Sequence, residues 1–309
     1  MKARVYAVFF ALAGMVLFWG LTPVTIAYVK GDFSILFQIW LRYLGSATAL
    51  WIFLMVRKPH RVNINHFRKG FPRFVFPLIL AAIFTLLFQV LYTYCFFLIT
   101  PGFGSLLYQT QILFSLFLGM LFFSAERELI GRPKTLAGIF LVLAGVVAVL
   151  LSRKQGIEFS FNVGIFMALG AALAWCFVGI TLRKWIGSSL HPLLAVTIVF
   201  TLVIIFLTPF LFLSGSWVIG TPGLAKWLIL IGSGLLGIAG GQGLYYFLLP
   251  KLGLIATSSV QLLIPFVTGV FSYFIFGEQI TFLQVLGGLV LLYGCRIILV
   301  QKAKLVNDQ

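Results

Sequence analysis

Gln38, Gln89, Gln109, Gln111, Gln242 and Gln261 stand inside long apolar runs of this chain. An amide is costly in hydrocarbon unless it is hydrogen-bonded or faces water. Helical spacing groups several of them with other polar side chains. Thr85, Gln89 and Tyr92 follow i, i+4, i+7, and Ser105 lies four residues before Gln109. Gln242 and Tyr246 are four apart with Tyr245 beside them, and Ser258, Gln261, Pro265 and Thr268 make one stripe. Each stripe reads either as interhelical hydrogen bonding or as the wall of a wet cavity. Trp19, Trp175, Tyr92, Tyr94, Tyr245 and Tyr246 add aromatic faces, which fill a core or hold an ammonium group by cation–π attraction.

Charge inside the runs is scarce, and an ionisable group at bilayer depth requires an explanation. Arg42 is the one near the middle of a run. It reads either as a fixed positive charge for a substrate carboxylate or as a packing clamp bonded to carbonyls of neighbouring helices; the clamp is the favoured expectation. The six acids, Asp32, Glu126, Glu128, Glu158, Glu278 and Asp308, all fall in loops, at helix ends or in the tail. A proton-for-cation exchanger built on a mid-membrane carboxylate is therefore not expected, and facilitated diffusion or exchange fits better. Cys95, Cys176 and Cys295 are widely spaced in apolar runs and read as inert buried thiols. There is no nucleotide loop, catalytic triad or metal-ligand spacing, so neither an enzyme nor a cofactor or metal is expected.

These residues must be positioned by membrane-spanning helices. Of 309 residues, 61% are hydrophobic and 9% charged, and the mean hydropathy is +1.13. So few charges cannot cover a water-facing surface, and so many apolar residues exclude disorder. Ten runs are long enough to span a bilayer, which takes about 20 apolar residues: 5–28, 33–56, 72–99, 103–124, 135–152, 163–185, 192–213, 226–249, 252–276 and 279–300. The first reads as a span and not as a cleavable signal. The net charge of +16 would suggest nucleic acid, but the basic residues sit in short gaps between runs. With the N-terminus inside, only Lys30, Arg153, Lys154 and Lys226 lie outside, and Arg42 and Arg296 lie within spans. The other sixteen of the 22 are inside. This bias predicts a multi-pass protein with both termini cytoplasmic.

The chain also matches itself. At a shift of 152, Tyr94 meets Tyr246, Gln109 meets Gln261 and Glu126 meets Glu278. At 149, Gly138 meets Gly287 and Gly145 meets Gly294. At 156, Gly14 meets Gly170, Trp19 meets Trp175 and Thr25 meets Thr181. The unit, 1–154 and again 155–309, holds five spans. Five is odd, so the copies run in opposite directions through the membrane, as in many secondary transporters. The expected fold is an all-α membrane protein of ten transmembrane helices in two inverted five-helix repeats. Pro23 and Pro265 are candidate hinges, and the glycine-rich segment 232–241 permits close helix approach and bending.

The residues resemble the drug/metabolite transporter superfamily, in particular its ten-span EamA-type members. Phe18-Trp19-Gly20-Leu21-Thr22-Pro23 resembles the Trp-Gly element of the first helix, and Leu41-Arg42-Tyr43 the Arg-Phe element of the second. The stretch from Gly253 through Pro265 to Phe276-Gly277-Glu278 is similar to the ninth-helix signature. The first half departs from the pattern with Leu113 in place of proline and Ala125-Glu126 in place of Gly-Glu, and the sixth helix has Trp175-Cys176 in place of Trp-Gly.

The resemblance implies a bacterial inner-membrane exporter of amino acids or related small metabolites. Its central cavity would be walled by the first, third, fourth, sixth, eighth and ninth helices. The four polar stripes fall on those helices, which favours one shared cavity. The candidate substrate contacts are Trp19, Gln89, Tyr92, Gln109, Trp175, Gln242, Tyr245, Tyr246, Ser258 and Gln261. A cavity of amides, hydroxyls and rings suits a zwitterion or neutral solute. The expected partners are a small-molecule substrate and the lipid bilayer, not nucleic acid, with the chain a monomer or weak dimer. A broad drug exporter, and an importer or exchanger of the same fold, are the alternatives.

Overall fold

The chain forms helices because its runs are apolar all round, and in lipid every backbone N–H and C=O must be satisfied within its own segment. The computed structural model describes residues 2–56, 71–152, 159–186, 190–215, 217–245, 247–248 and 260–307. In chain order the helices are α1 (Lys2–Val29), α2 (Ile35–Val56), α3 (Phe71–Leu98), α4 (Pro101–Tyr108), α5 (Gln111–Phe122), α6 (Ser124–Ile130), α7 (Pro133–Leu151) and α8 (Phe159–Thr181). They continue as α9 (Pro192–Ser214), α10 (Leu224–Gly232), α11 (Ile264–Phe276) and α12 (Phe282–Asn307). Among the described residues, nine helical stretches are long and apolar enough to cross a membrane, and α11 is a shorter apolar helix. The architecture is that of a ten-helix all-α membrane protein.

Two expectations are refined. The fourth span is not one helix: α4 and α5 meet at a turn at Gln109 and Thr110. A similar turn, at Leu262 and Leu263, precedes α11 in the ninth span. Pro265 consequently lies in the first turn of α11, where a missing N–H costs little. Pro23, by contrast, sits inside α1 and removes the amide that would bond the Trp19 carbonyl. The glycine-rich part of the eighth span is π-helical over Ser233–Gly240. It packs closely: a Cβ at Gly234 would lie 2.5 Å from the Arg42 carbonyl oxygen, and one at Gly237 2.5 Å from Thr22 Oγ1.

The helix pairings have a regular pattern. The first span packs on the ninth, and the sixth on the fourth. The second packs on the eighth, and the seventh on the third; the third packs on the sixth, and the eighth on the first. The second also meets the seventh, and α7 of the fifth span lies along α12 of the tenth. In that last pair a Cβ at Gly138 would sit 3.1 Å from the Gly294 carbonyl oxygen, and one at Gly145 2.6 Å from that of Gly287. The rising order on α7 meets the falling order on α12, so the two helices cross antiparallel through paired glycines.

One end of the bundle carries the links around Asp32, Thr100 and Glu278. There Lys226 Nζ bonds Asp32 Oδ2 at 2.6 Å, Phe33 and Val218 form an isolated β-bridge, and Lys30 Nζ donates to the Phe97 carbonyl. The other end carries cations laid over aromatic rings: Arg183 over Phe123 and Lys184 over Phe122.

Candidate substrate site

Arg42 projects from α2 and is 1% exposed. Among the described residues its Nε, Nη1 and Nη2 have no hydrogen-bond partner. A clamp needs carbonyl acceptors, and none of the described residues supplies one to the guanidinium. What is clamped is the Arg42 backbone. The Ser46 hydroxyl sits 2.6 Å from the Arg42 carbonyl oxygen and 2.8 Å from that of Gly234, tying α2 to the π-helical segment.

The neighbours of the guanidinium come from α2 and α3. Tyr43 is buried edge-on against Phe200, ring centroids 4.9 Å apart, and its hydroxyl meets the Gln89 amide. Gln89 Oε1 is buried without a partner, as is Thr93 Oγ1 one turn further along α3. Between them Tyr92 stands close enough to act electrostatically on Arg42. Tyr92 also touches Phe96 and Tyr108. Trp175 joins this aromatic group through Phe88, 5.0 Å away. Of the residues expected to share a site, Gln89, Tyr92 and Trp175 are thus brought together.

The remaining candidates lie elsewhere. Trp19 packs on Tyr245, centroids 5.8 Å apart, and closely on Gly241. Gln242 is half-buried nearby in sequence, and Gln261 half-buried just before the ninth-span turn. Gln109 is buried at the α4–α5 turn, and its carbonyl faces Cys295 of α12 at 3.9 Å. Tyr246 and Ser258 lie outside the described residues. Several hydroxyls of the four stripes are already spent: Thr85 donates to the Ala81 carbonyl and Ser105 to that of Gly102. Thr268 crosses to the Gly20 carbonyl at 2.8 Å, so that position of the ninth-span stripe serves packing. Tyr94 is 37% exposed. A groove of about 280 Å³ between α4, α11 and α12 is lined by Leu106, Pro265, Gly269, Tyr273 and Gln284, with none of the candidate amides among its lining.

Sequence reading placed Glu278 simply at a helix end. Its carboxylate is in fact buried and clasps the start of α4. Oε1 accepts from Thr100 Oγ1 at 2.5 Å and from the Phe103 amide at 3.2 Å; Oε2 accepts from the Gly102 amide at 3.0 Å and from Ser272 Oγ at 2.5 Å. A helix N-terminus offers unpaired N–H groups and a partial positive charge, so an anion is stabilised there. Pro101 stands in the first turn of α4, and the carboxylate that caps that turn lies 176 residues away from Gly102.

A bundle of apolar helices, two of its spans broken by turns and two of its helices crossing antiparallel through paired glycines, is a polytopic membrane protein. The EamA-like transporter family model matches residues 5–151 and again 162–300. The chain belongs to that family, within the drug/metabolite transporter superfamily. A Salmonella typhimurium LT2 protein named "Probable amino-acid metabolite efflux pump" is 28% identical over 202 residues, 62% of this chain. The matched stretch spans 65% of that relative's length. A solved crystal structure of a protein superposes over 97% of this chain and 99% of its own, with a TM-score of 0.64 at 15% identity, a likeness of fold.

Proposed function

We propose that the chain is an alternating-access exporter of amino acids or related small polar metabolites, built from two inverted halves, 1–154 and 155–309. It would lie in a bacterial inner membrane with both termini cytoplasmic. The observation that carries the reading is the crossing of α7 and α12. Under the sequence repeat, Gly138 corresponds to Gly287 and Gly145 to Gly294. The contact of Gly138 with Gly294 therefore becomes, on exchange of the halves, the contact of Gly287 with Gly145, and both occur. The pairings of first with ninth and sixth with fourth, second with eighth and seventh with third, and third with sixth and eighth with first likewise exchange with one another. Two such halves can swap conformations, which opens a central site to each face in turn.

The orientation rests on the placement of basic residues, and the substrate class on the polar interior together with the name of the relative. The test is transport by the purified chain in proteoliposomes preloaded with single labelled amino acids. Efflux of one or more, and resistance of expressing cells to a toxic amino-acid analogue, are expected. Flux of lipophilic cations alone would replace this reading with that of a drug exporter.

A further inference from the structure

The donors and acceptors around Arg42 form a pattern that the bundle itself leaves incomplete. The acids whose side chains are described are engaged elsewhere: Asp32 with Lys226, Glu128 with Arg132, and Glu278 with the start of α4. Arg42 is buried with three idle nitrogens. A buried charge without a counter-ion costs several kcal/mol, and α2 cannot rotate it away. The Ser46 link and the contact of Gly234 with the Arg42 backbone fix the helix.

Idle acceptors lie on α3, which packs on α2. Gln89 Oε1 and Thr93 Oγ1 share one face of α3, with Tyr92 between them. On α2 itself Gln38 Oε1 stands one turn before Arg42, also buried and unpartnered. A planar cation with free donors matches a carboxylate, which it binds through two parallel hydrogen bonds. Free amide and hydroxyl oxygens beside a tyrosine ring match an ammonium.

We propose that Arg42 is the carboxylate anchor of the substrate site, with Gln89 and Thr93 receiving the ammonium, so that the site selects a free amino acid over its amide. The assignment rests on the transporter reading above and deepens it. Neutralising the carboxylate removes the charge-assisted pair and leaves the guanidinium buried and idle, which predicts binding weaker by about ten-fold or more.

The experiment uses the purified full-length chain and ligand-induced thermal shift, a readout independent of transport. The panel is each common L-amino acid, its amide and its decarboxylated amine. Wild type should bind at least one amino acid, and its amide and amine about ten-fold less tightly or worse. In Arg42→Gln the acid-to-amide preference should fall towards one. An unchanged preference in Arg42→Gln, equal binding of acid and amide by wild type, or no response to any amino acid overturns the proposal. Should Arg42→Gln not fold, Gln89→Glu supplies an internal carboxylate. It should melt higher than wild type and lose its response to amino acids, and a retained response overturns the assignment. Carboxylate binding without flux would sink the transporter reading alone; flux of other solutes without carboxylate binding would sink the anchor alone.

Discussion

Cys176 Sγ lies 3.2 Å from the Ser115 hydroxyl, at the place where the other half of the chain sets Gly20 against Val267. Under the repeat, Cys176 corresponds to Gly20 and Ser115 to Val267. One contact joins a residue without a side chain to a branched one; its counterpart joins two small side chains. The departure from Trp-Gly in the sixth helix is thus offset by a smaller partner on the fourth. A Cβ at Gly20 would fall 2.7 Å from Val267 Cγ1, so neither contact tolerates growth on one side alone. Ser115→Val should destabilise the chain by about 1–3 kcal/mol through overpacking, and Cys176→Gly added to it should recover most of the loss. Unfolding by graded denaturing detergent measures both; additive losses would mean that the two residues are not coupled.

The clasp at Glu278 makes a prediction about one end of the bundle. Glu278→Gln keeps the size but replaces an acceptor oxygen with an amide NH2, a donor set against donors. A cost of about 2–3 kcal/mol is expected, the scale of charged hydrogen bonds at a helix terminus. Thr100→Val and Ser272→Ala each remove one donor and should cost about 1 kcal/mol. In the proposed orientation this end is outer, and the weakened clasp should raise the reactivity of a cysteine replacing Ser105, buried on α4, toward an external reagent. Equal labelling with and without Glu278 would show that the clasp does not hold α4 shut.

The glycine crossing of α7 and α12 is a close backbone contact open to a graded test. A Cβ at Gly145 would lie 2.5 Å from the Leu291 amide nitrogen, whereas one at Gly243 would meet nothing within 4 Å. Gly145→Ala should therefore lower the melting temperature, with a loss of about 1–3 kcal/mol, and Gly243→Ala should not. Backbone atoms cannot move aside as a flexible side chain can, so the difference should persist in every detergent tried.

The spans were legible because a bilayer demands about 20 apolar residues in a row, and the charge gaps between them are plain in the sequence. The turn at Gln109 and Thr110 was not, since Tyr108-Gln109-Thr110-Gln111 holds neither glycine nor proline and only backbone geometry separates α4 from α5. The Glu278 clasp was hidden for a different reason: its two sides are remote in the chain, and a carboxylate after Gly277 looks like any loop acid. Polar stripes predicted that Gln89 and Tyr92 share a face, which they do. They could not separate hydroxyls already bonded to their own helix, such as Thr85, from groups left idle. For Arg42 the residue type was legible, but the lack of any acceptor appears only once α2 is packed.

The matched glutamines provide the last test, and it bears on the alternating halves directly. Gln109 stands at the turn between α4 and α5, and Gln261 immediately before the turn that opens α11. Each amide thus marks a point where one half interrupts a helix near mid-membrane, and broken helices in transporters present their freed backbone groups to a cavity. Leucine has a similar volume but neither donor nor acceptor. Gln109→Leu or Gln261→Leu, at matched expression, should abolish transport while leaving thermal stability within about 1 kcal/mol of wild type, since no buried acceptor loses a strong bond. If both variants carried normal flux, the two turns would be structural breaks without a share in the substrate path. If only one lost transport, the halves would contribute unequally to the site, and the surviving amide would belong to helix packing.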